Sequence, residues 1–311
     1  MSPAGSEAIT APQGPGTVKT IVVLGAGIIA VSCAAIFIRL CDDVPSLVIA
    51  AFRLGIASLA LLAFTALKGD TPWRIARRDM LLSLAAGIFL ALHFITWISS
   101  LKYTSVASSV VIVTTNPVFV AIFSFLFLKE RQPAELISGA VLCVAGSALI
   151  ALGDGGIAGL AAAGSRADTG DALALAGAVA GSGYIIAGSR VRERIDTIPF
   201  ITIVFTIAAV ILLAVCLALG TPFGGYRSSS YFFMVLLALV PQLIGHTAFI
   251  WALGHLRAGM VAVTILGEPV GATILAWFIF GETVGAVQFA GMMLIFSAIV
   301  ITSRKGGKVP S

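Results

Sequence analysis

The sequence predicts an all-α, polytopic membrane protein of ten transmembrane helices arranged as two inverted five-helix repeats. Three observations carry that reading. Hydrophobic residues make up 59% of the chain and charged residues 11%, with a mean hydropathy of +1.08; a soluble domain carries roughly 25% charged residues. Apolar runs of about 20 residues, the length needed to cross a bilayer, recur along the chain without the period-two alternation of a membrane barrel. Residues 101–151 and 253–303 are one passage written twice at a constant offset of 152.

Backbone polar groups in lipid must be satisfied within the segment, so each run is a helix. A tail over 1–18, rich in Pro, Gly, Ser and Ala, is expected to be disordered. It lacks a basic n-region, so the first apolar run, 19–40, reads as an uncleaved anchor. Val44 and Pro45 open the second span, 46–67. The third and fourth, 80–101 and 105–128, form a tight hairpin about 102–104, and the fifth is 134–152. The Gly- and Ala-rich stretch 153–169 is the linker between a first repeat over 19–152 and a second over 170–302. The sixth span, 170–190, echoes the first: Gly177 and Ser182 stand 150 residues after Gly27 and Ser32. Ile198 and Pro199 open the seventh, 198–219, as Val44 and Pro45 open the second. The eighth and ninth, 229–254 and 258–281, repeat the hairpin about 255–257. The tenth is 285–302, followed by a tail over 303–311.

Five helices per repeat is an odd number, so the second repeat must enter the membrane upside down. Charge agrees. With a cytoplasmic N-terminus, fourteen of the Lys and Arg residues fall on the inner side, and only Arg39, Lys102, Arg166 and Arg227 on the outer. Such a bias predicts both termini inside. The net charge of +5 therefore reports topology rather than affinity for nucleic acid. The four cysteines have neither disulfide nor metal spacing and read as packing residues.

Polar groups in mid-span are expensive and are functional candidates by default. Arg53, His93, Asn116, His246 and Glu268 all qualify, and the helical layout lets them converge on a central cavity. Asn116-Pro117 and Glu268-Pro269 are paired by the repeat. Proline cannot donate to the carbonyl four residues earlier, so Pro117 and Pro269 are candidate hinges, with Val113 and Ile265 carbonyls released. The alternative is a structural kink whose Asn or Glu bonds a neighbouring helix. Arg53 is either a cation for a substrate carboxylate or one side of an ion pair, with Glu268 as the obvious acid. Trp97, one turn from His93, together with Trp251, Phe37 and Tyr184, offers an aromatic lining, while a Trp near a helix end also serves as an interface anchor. Trp73 and Tyr231 read as anchors. Glu130 and Glu282 close the fourth and ninth spans and are candidate gate residues.

No phosphate-binding loop, zinc-protease motif or hydrolase nucleophile elbow is present, so neither ATP hydrolysis nor a metal or cofactor is expected. The paired Pro-containing helices, the Lys129-Glu130 and Gly281-Glu282 ends, the hairpin Leu101–Ser109 and the run Glu268-Pro269-Val270 resemble the drug/metabolite transporter superfamily, in its EamA-type branch. Arg53 also stands where these proteins often carry an Arg in the second helix. The resemblance covers Lys19 to Thr302 and implies a bacterial inner-membrane permease, usually an exporter of amino acids or other small metabolites. It implies a cavity between the halves and peripheral fifth and tenth helices. Asn116 departs from it, because one copy then lacks the carboxylate of the other. The function expected is export of small metabolites by alternating access between the repeats. The partners expected are the substrate, the bilayer and protons. An intramembrane enzyme on lipid-linked substrates and a facilitative uniporter remain as alternatives, and the oligomeric state is open.

Overall fold

The computed structural model describes residues 17–100, 103, 109, 112–161, 167–281 and 283–305, and among them there is no strand. The helices are α1 (Thr17–Arg39), α2 (Ser46–Leu67), α3 (Arg77–Ser100), α4 (Asn116–Leu128), α5 (Ala134–Ala161), α6 (Ala167–Arg192), α7 (Thr197–Ala218), α8 (Ser228–Leu253), α9 (Ala258–Phe280) and α10 (Ala286–Lys305). Seven are long and apolar enough to cross a membrane: α1, α2, α3, α6, α7, α8 and α9. The apolar segments Asn116–Leu128, Ala134–Ile150 and Ala286–Thr302 are shorter.

Local chemistry sets the ends. Pro45 opens α2, its carbonyl accepting from the Val48 and Ile49 amides at 2.9 and 3.1 Å. α4 and α9 both stop on a left-handed residue, Lys129 at φ 56° and Gly281 at φ 68°. These are the positions paired at an offset of 152. Glycine adopts this conformation without steric cost, whereas lysine does not. The fifth span differs from expectation: α5 continues to Ala161, well into the presumed linker. Glycine stands at 153, 155, 156 and 159 of that stretch, so helix propensity does not account for the extension.

The repeats do not pack as two separate bundles. The tightest pairings join helices of opposite halves: α3 with α6, α1 with α8, α2 with α7, and α5 with α10. Each recurs or maps onto itself when the halves are exchanged, and so do α4 with α6 and α1 with α9. Two interleaved groups result, one of α1, α2, α8 and α9, the other of α3, α4, α6 and α7. Ser58 on α2 and Thr206 on α7 share a hydrogen bond of 2.7 Å where the groups meet. The faces that fit each other lie on different halves.

α5 and α10 stand apart with a core of their own, in which Leu136, Ala140 and Cys143 meet Met292, Ile295 and Ala298, against Met260 and Val263 of α9. Their backbones nearly touch. A Cβ at Gly291 would lie 2.5 Å from the Gly146 carbonyl oxygen and 2.9 Å from the Ile150 amide. Both obstacles are main chain, so no side-chain adjustment relieves them.

Each group is stapled by a polar clamp at its rim. At one face, Asp43 in the α1–α2 turn accepts from the Arg227 amide at 2.8 Å and the Ser230 hydroxyl at 2.5 Å, at the start of α8. Arg227 also pairs with Asp42. At the other face, Arg194 in the α6–α7 turn donates Nε and Nη2 to Asp79, at the start of α3, at 3.0 and 2.7 Å. The acid is on the turn in the first clamp and on the helix in the second. Cys41 is buried beside the Asp43 clamp, and burial pushes its thiol up to about 11.

Gly291→Val is expected to force α5 and α10 apart and destabilise the protein by about 1–3 kcal/mol, as overpacking does, read as a lower melting temperature in detergent. The Ser230 hydroxyl, and after it the Arg227 amide, hold the Asp43 carboxyl below its usual range. A depressed folded pKa stabilises above the unfolded value and is lost as pH falls through the folded one. Ser230→Ala should therefore lower the melting temperature at pH 7, and the gap to wild type should close once Asp43 is protonated in both.

Candidate functional site

Between the two groups lies a cavity of about 570 Å³. All seven side chains singled out from the sequence as substrate-binding line it: Arg53, His93, Trp97, Asn116, Tyr184, His246 and Glu268. Aliphatic and aromatic residues form most of the remaining wall. The cavity follows α9 past Phe280 to Thr283 and Gln288, and reaches Arg39 at the end of α1. Toward the opposite face it meets the first two turns of α9, where every residue from Ala258 to Thr264 is buried.

The polar helices are built for this. In α9 the helix stops at Ile265 and restarts at Glu268, with the Leu266 and Gly267 amides bonded three residues back, to Val263 and Thr264, at 3.2 and 3.0 Å. The Pro269 element is thus a full break, and Glu268 opens the second segment. Before α4 the same happens: the Thr115 amide bonds Ile112 at 3.1 Å and Asn116 restarts the helix. Serines of the first helix in the opposite half pin both breaks. Ser182 donates to the Asn116 carbonyl at 3.0 Å, and Ser32 reaches the Glu268 carbonyl at 3.2 Å. These are the two serines that the sequence aligned at an offset of 150.

Asn116 and Glu268 then differ. The Asn116 amide nitrogen is held by α6, donating to the Ala178 carbonyl at 3.1 Å and to Ser182 at 2.9 Å. This is the structural reading of the Asn-Pro pair. The Glu268 carboxylate forms neither a hydrogen bond nor an ion pair within 4.0 Å among the described residues. Arg53 is 4% exposed and does not pair with it. Its Nε donates instead to Gln242 Oε1 at 2.7 Å, and its guanidinium sits 4.8 Å from the Phe94 ring centre. Arg53 and Glu268 both line the cavity, and no ion pair joins them among the described residues.

His93 Nδ1 lies 2.8 Å from the Gly177 carbonyl. A carbonyl only accepts, so Nδ1 carries the hydrogen and Nε2 of the neutral ring is left as an acceptor. Its ring stacks on Trp97 at 5.8 Å. Gly181 makes room, since a Cβ there would lie 3.0 Å from His93 Nδ1 and 3.1 Å from the Asn116 amide nitrogen. His246 faces Phe94 at 6.2 Å. The Trp97 Nε1 and Tyr184 hydroxyl are buried without a hydrogen-bond partner among the described residues.

Other candidates fall elsewhere. Phe37 stacks on Phe233 at 6.0 Å and does not line the cavity. Trp251 packs on His255 at 4.5 Å with Lys19 over its ring at 5.7 Å, as an anchor at a helix end does. Tyr231 bonds the Phe223 carbonyl at 3.3 Å, and Trp73 is exposed. The Glu130 amide closes α4 onto Ser124 at 3.1 Å, and its carboxylate makes no ion pair among the described residues. Glu282 lies outside them. Gln242 was not singled out from the sequence. Pro241-Gln242 is a third pairing of proline with a polar residue in mid-span, the signal that marked Asn116 and Glu268.

The sequence profile of the EamA-like transporter family matches residues 18–152 and again 168–304. The chain belongs to the EamA-like transporter family. Each match covers one of the repeats. A Bacillus subtilis relative, the uncharacterized transporter YdfC, is 26% identical over 84% of this chain and 83% of its own. The uncharacterized inner membrane transporter YedA of Escherichia coli K12 is 24% identical over 84% of this chain and 83% of its own. One solved protein structure superposes with a TM-score of 0.78 over 94% of this chain and 98% of that one. At 20% identity it shows a shared fold. The EamA-like chain is thus a multi-pass membrane transporter.

Asn116→Ala is expected to cost about 1–3 kcal/mol, since it removes both hydrogen bonds by which the amide nitrogen ties α4 to α6. Glu268→Gln should leave the melting temperature nearly unchanged. Thermal unfolding of both variants in the same detergent checks the contrast.

Proposed function

We propose that this EamA-like protein exports small zwitterionic metabolites, such as amino acids, across a bacterial inner membrane by alternating access. The observation that carries the reading is a single cavity holding one buried cation, Arg53, and one carboxylate, Glu268, neither neutralised by the other. Buried charges are retained only where something compensates them, and a ligand bearing both signs does so. The volume, about 570 Å³, lies within the usual range for small-molecule sites.

Ten crossings with inverted repeats and both termini in the cytoplasm complete the proposal. The clamps favour this topology, since they put the α1–α2 turn with the start of α8 on one face, and the α6–α7 turn with the start of α3 on the other. The bodies that rock are the interleaved groups, with α2 and α7 as the seam. By charge asymmetry the reach of the cavity to Arg39 and Gln288 is toward the outer side. Glu268 is the group placed to carry a proton.

The test is efflux of labelled amino acids from proteoliposomes. Arg53→Ala with Glu268→Ala is expected to reduce efflux at least tenfold, while Glu268→Gln removes any dependence on a proton gradient. Wild-type efflux from the double variant would sink the reading.

A further inference from the structure

The way Arg53 is held says which part of a ligand the cavity reads. Gln242 is fully buried, and Oε1 takes the Arg53 Nε hydrogen at 2.7 Å. Its own Nε2 has no partner among the described residues. A buried donor left unsatisfied is costly, and an apolar residue of similar size avoids that cost. Gln242 sits in the π-helical stretch Ala238–His246 of α8, beside Pro241. Wide turns of this kind are frequent at functional sites. Phe94 covers one face of the guanidinium at 4.8 Å.

With Nε tied and one face covered, the edge carrying Nη1 and Nη2 remains. Among the described residues no hydrogen bond to those nitrogens is formed, and Arg53 lines the cavity. That edge presents two parallel N–H groups, the fork that fits a carboxylate. We infer that Gln242 is a positioning residue that aims the Arg53 fork at the cavity, making a free carboxylate the feature by which ligands are selected. The inference deepens the exporter reading and rests on it for the ammonium at Glu268. A single fork beside an uncompensated Glu268 suits a monoanionic head better than a dianionic one. The unpartnered Trp97 Nε1 and Tyr184 hydroxyl supply further donors to its oxygens. Apolar walls accommodate an apolar side chain.

The probes are L-leucine, L-leucinamide and 4-methylpentanoate, which share a side chain and carry both charges, only the cation and only the anion. Binding to the purified full-length protein in detergent is measured by calorimetry. Leucine and 4-methylpentanoate are expected to bind, with leucine preferred over leucinamide by about 10- to 100-fold, the range for a charge-assisted pair. Gln242→Glu supplies an internal carboxylate to Arg53 and should erase that preference. Gln242→Met, which frees Arg53 to swing, should weaken leucine about tenfold with melting unchanged; it decides the matter if the Glu variant does not fold. Leucinamide binding as tightly as leucine would overturn the inference. So would a preference that survives in a folded Gln242→Glu, unchanged leucine affinity in Gln242→Met, or no binding of either carboxylate. Carboxylate-selective binding without leucine efflux from proteoliposomes would remove the exporter reading and keep the Arg53 site. Efflux of leucine and leucinamide alike would do the reverse.

Discussion

A bilayer offers no water to a main-chain group that loses its partner, and this fold is organised around two places where proline breaks the helical ladder. At each break the chain tightens into three-residue turns, and a serine from the first helix of the other half fixes the peptide that leads into the proline. That contact ties α4 to α6 and α9 to α1. It also sets the depth at which Asn116 and Glu268 meet the cavity. The remaining pairings follow from the faces these contacts bring together: small residues let α5 approach α10 and let α6 approach His93.

From one pair of equivalent breaks the protein makes two unequal sites. Asn116 spends its amide on α6 and becomes part of the frame. Glu268, at the matching position, is left to the cavity. Across from it, Arg53 is fixed by an uncharged group, Gln242, so its charge is oriented without being cancelled.

The fold was legible in the sequence wherever a residue type has a single physical use in lipid. Apolar length, the internal repeat, the prolines and the mid-span charges all belong to that kind, and the seven polar and aromatic candidates do share one cavity. What depends on the rotation of a helix about its axis was less legible. Phe37 and Ile38 are neighbours in α1, yet Phe37 turns to Phe233 while Ile38 lines the cavity. Trp97 and Trp251 look alike in sequence and differ in which face of α3 or α8 they occupy. Interleaving of the halves was hidden for the same reason, since a repeat shows which helices correspond without showing which ones touch. Gln242 escaped because glutamine carries no charge to betray it, although its proline neighbour gave the cue.

The two rim clamps have a bearing on how a duplicated chain keeps its halves in order. In the first, an acid on the turn meets a base at the start of α8; in the second, a base on the turn meets an acid at the start of α3. Were two first halves to assemble with each other, Asp43 would face Asp79. Two second halves would bring Arg194 against Arg227. The cavity repeats the rule in shape: His93 fits over Gly181, while at the corresponding contact Gly245 fits over Val31. Two first halves would crowd His93 onto Val31, and two second halves would leave a void between glycines. Each half is thus complementary to the other and mismatched with its own copy, a form of self-exclusion between like halves.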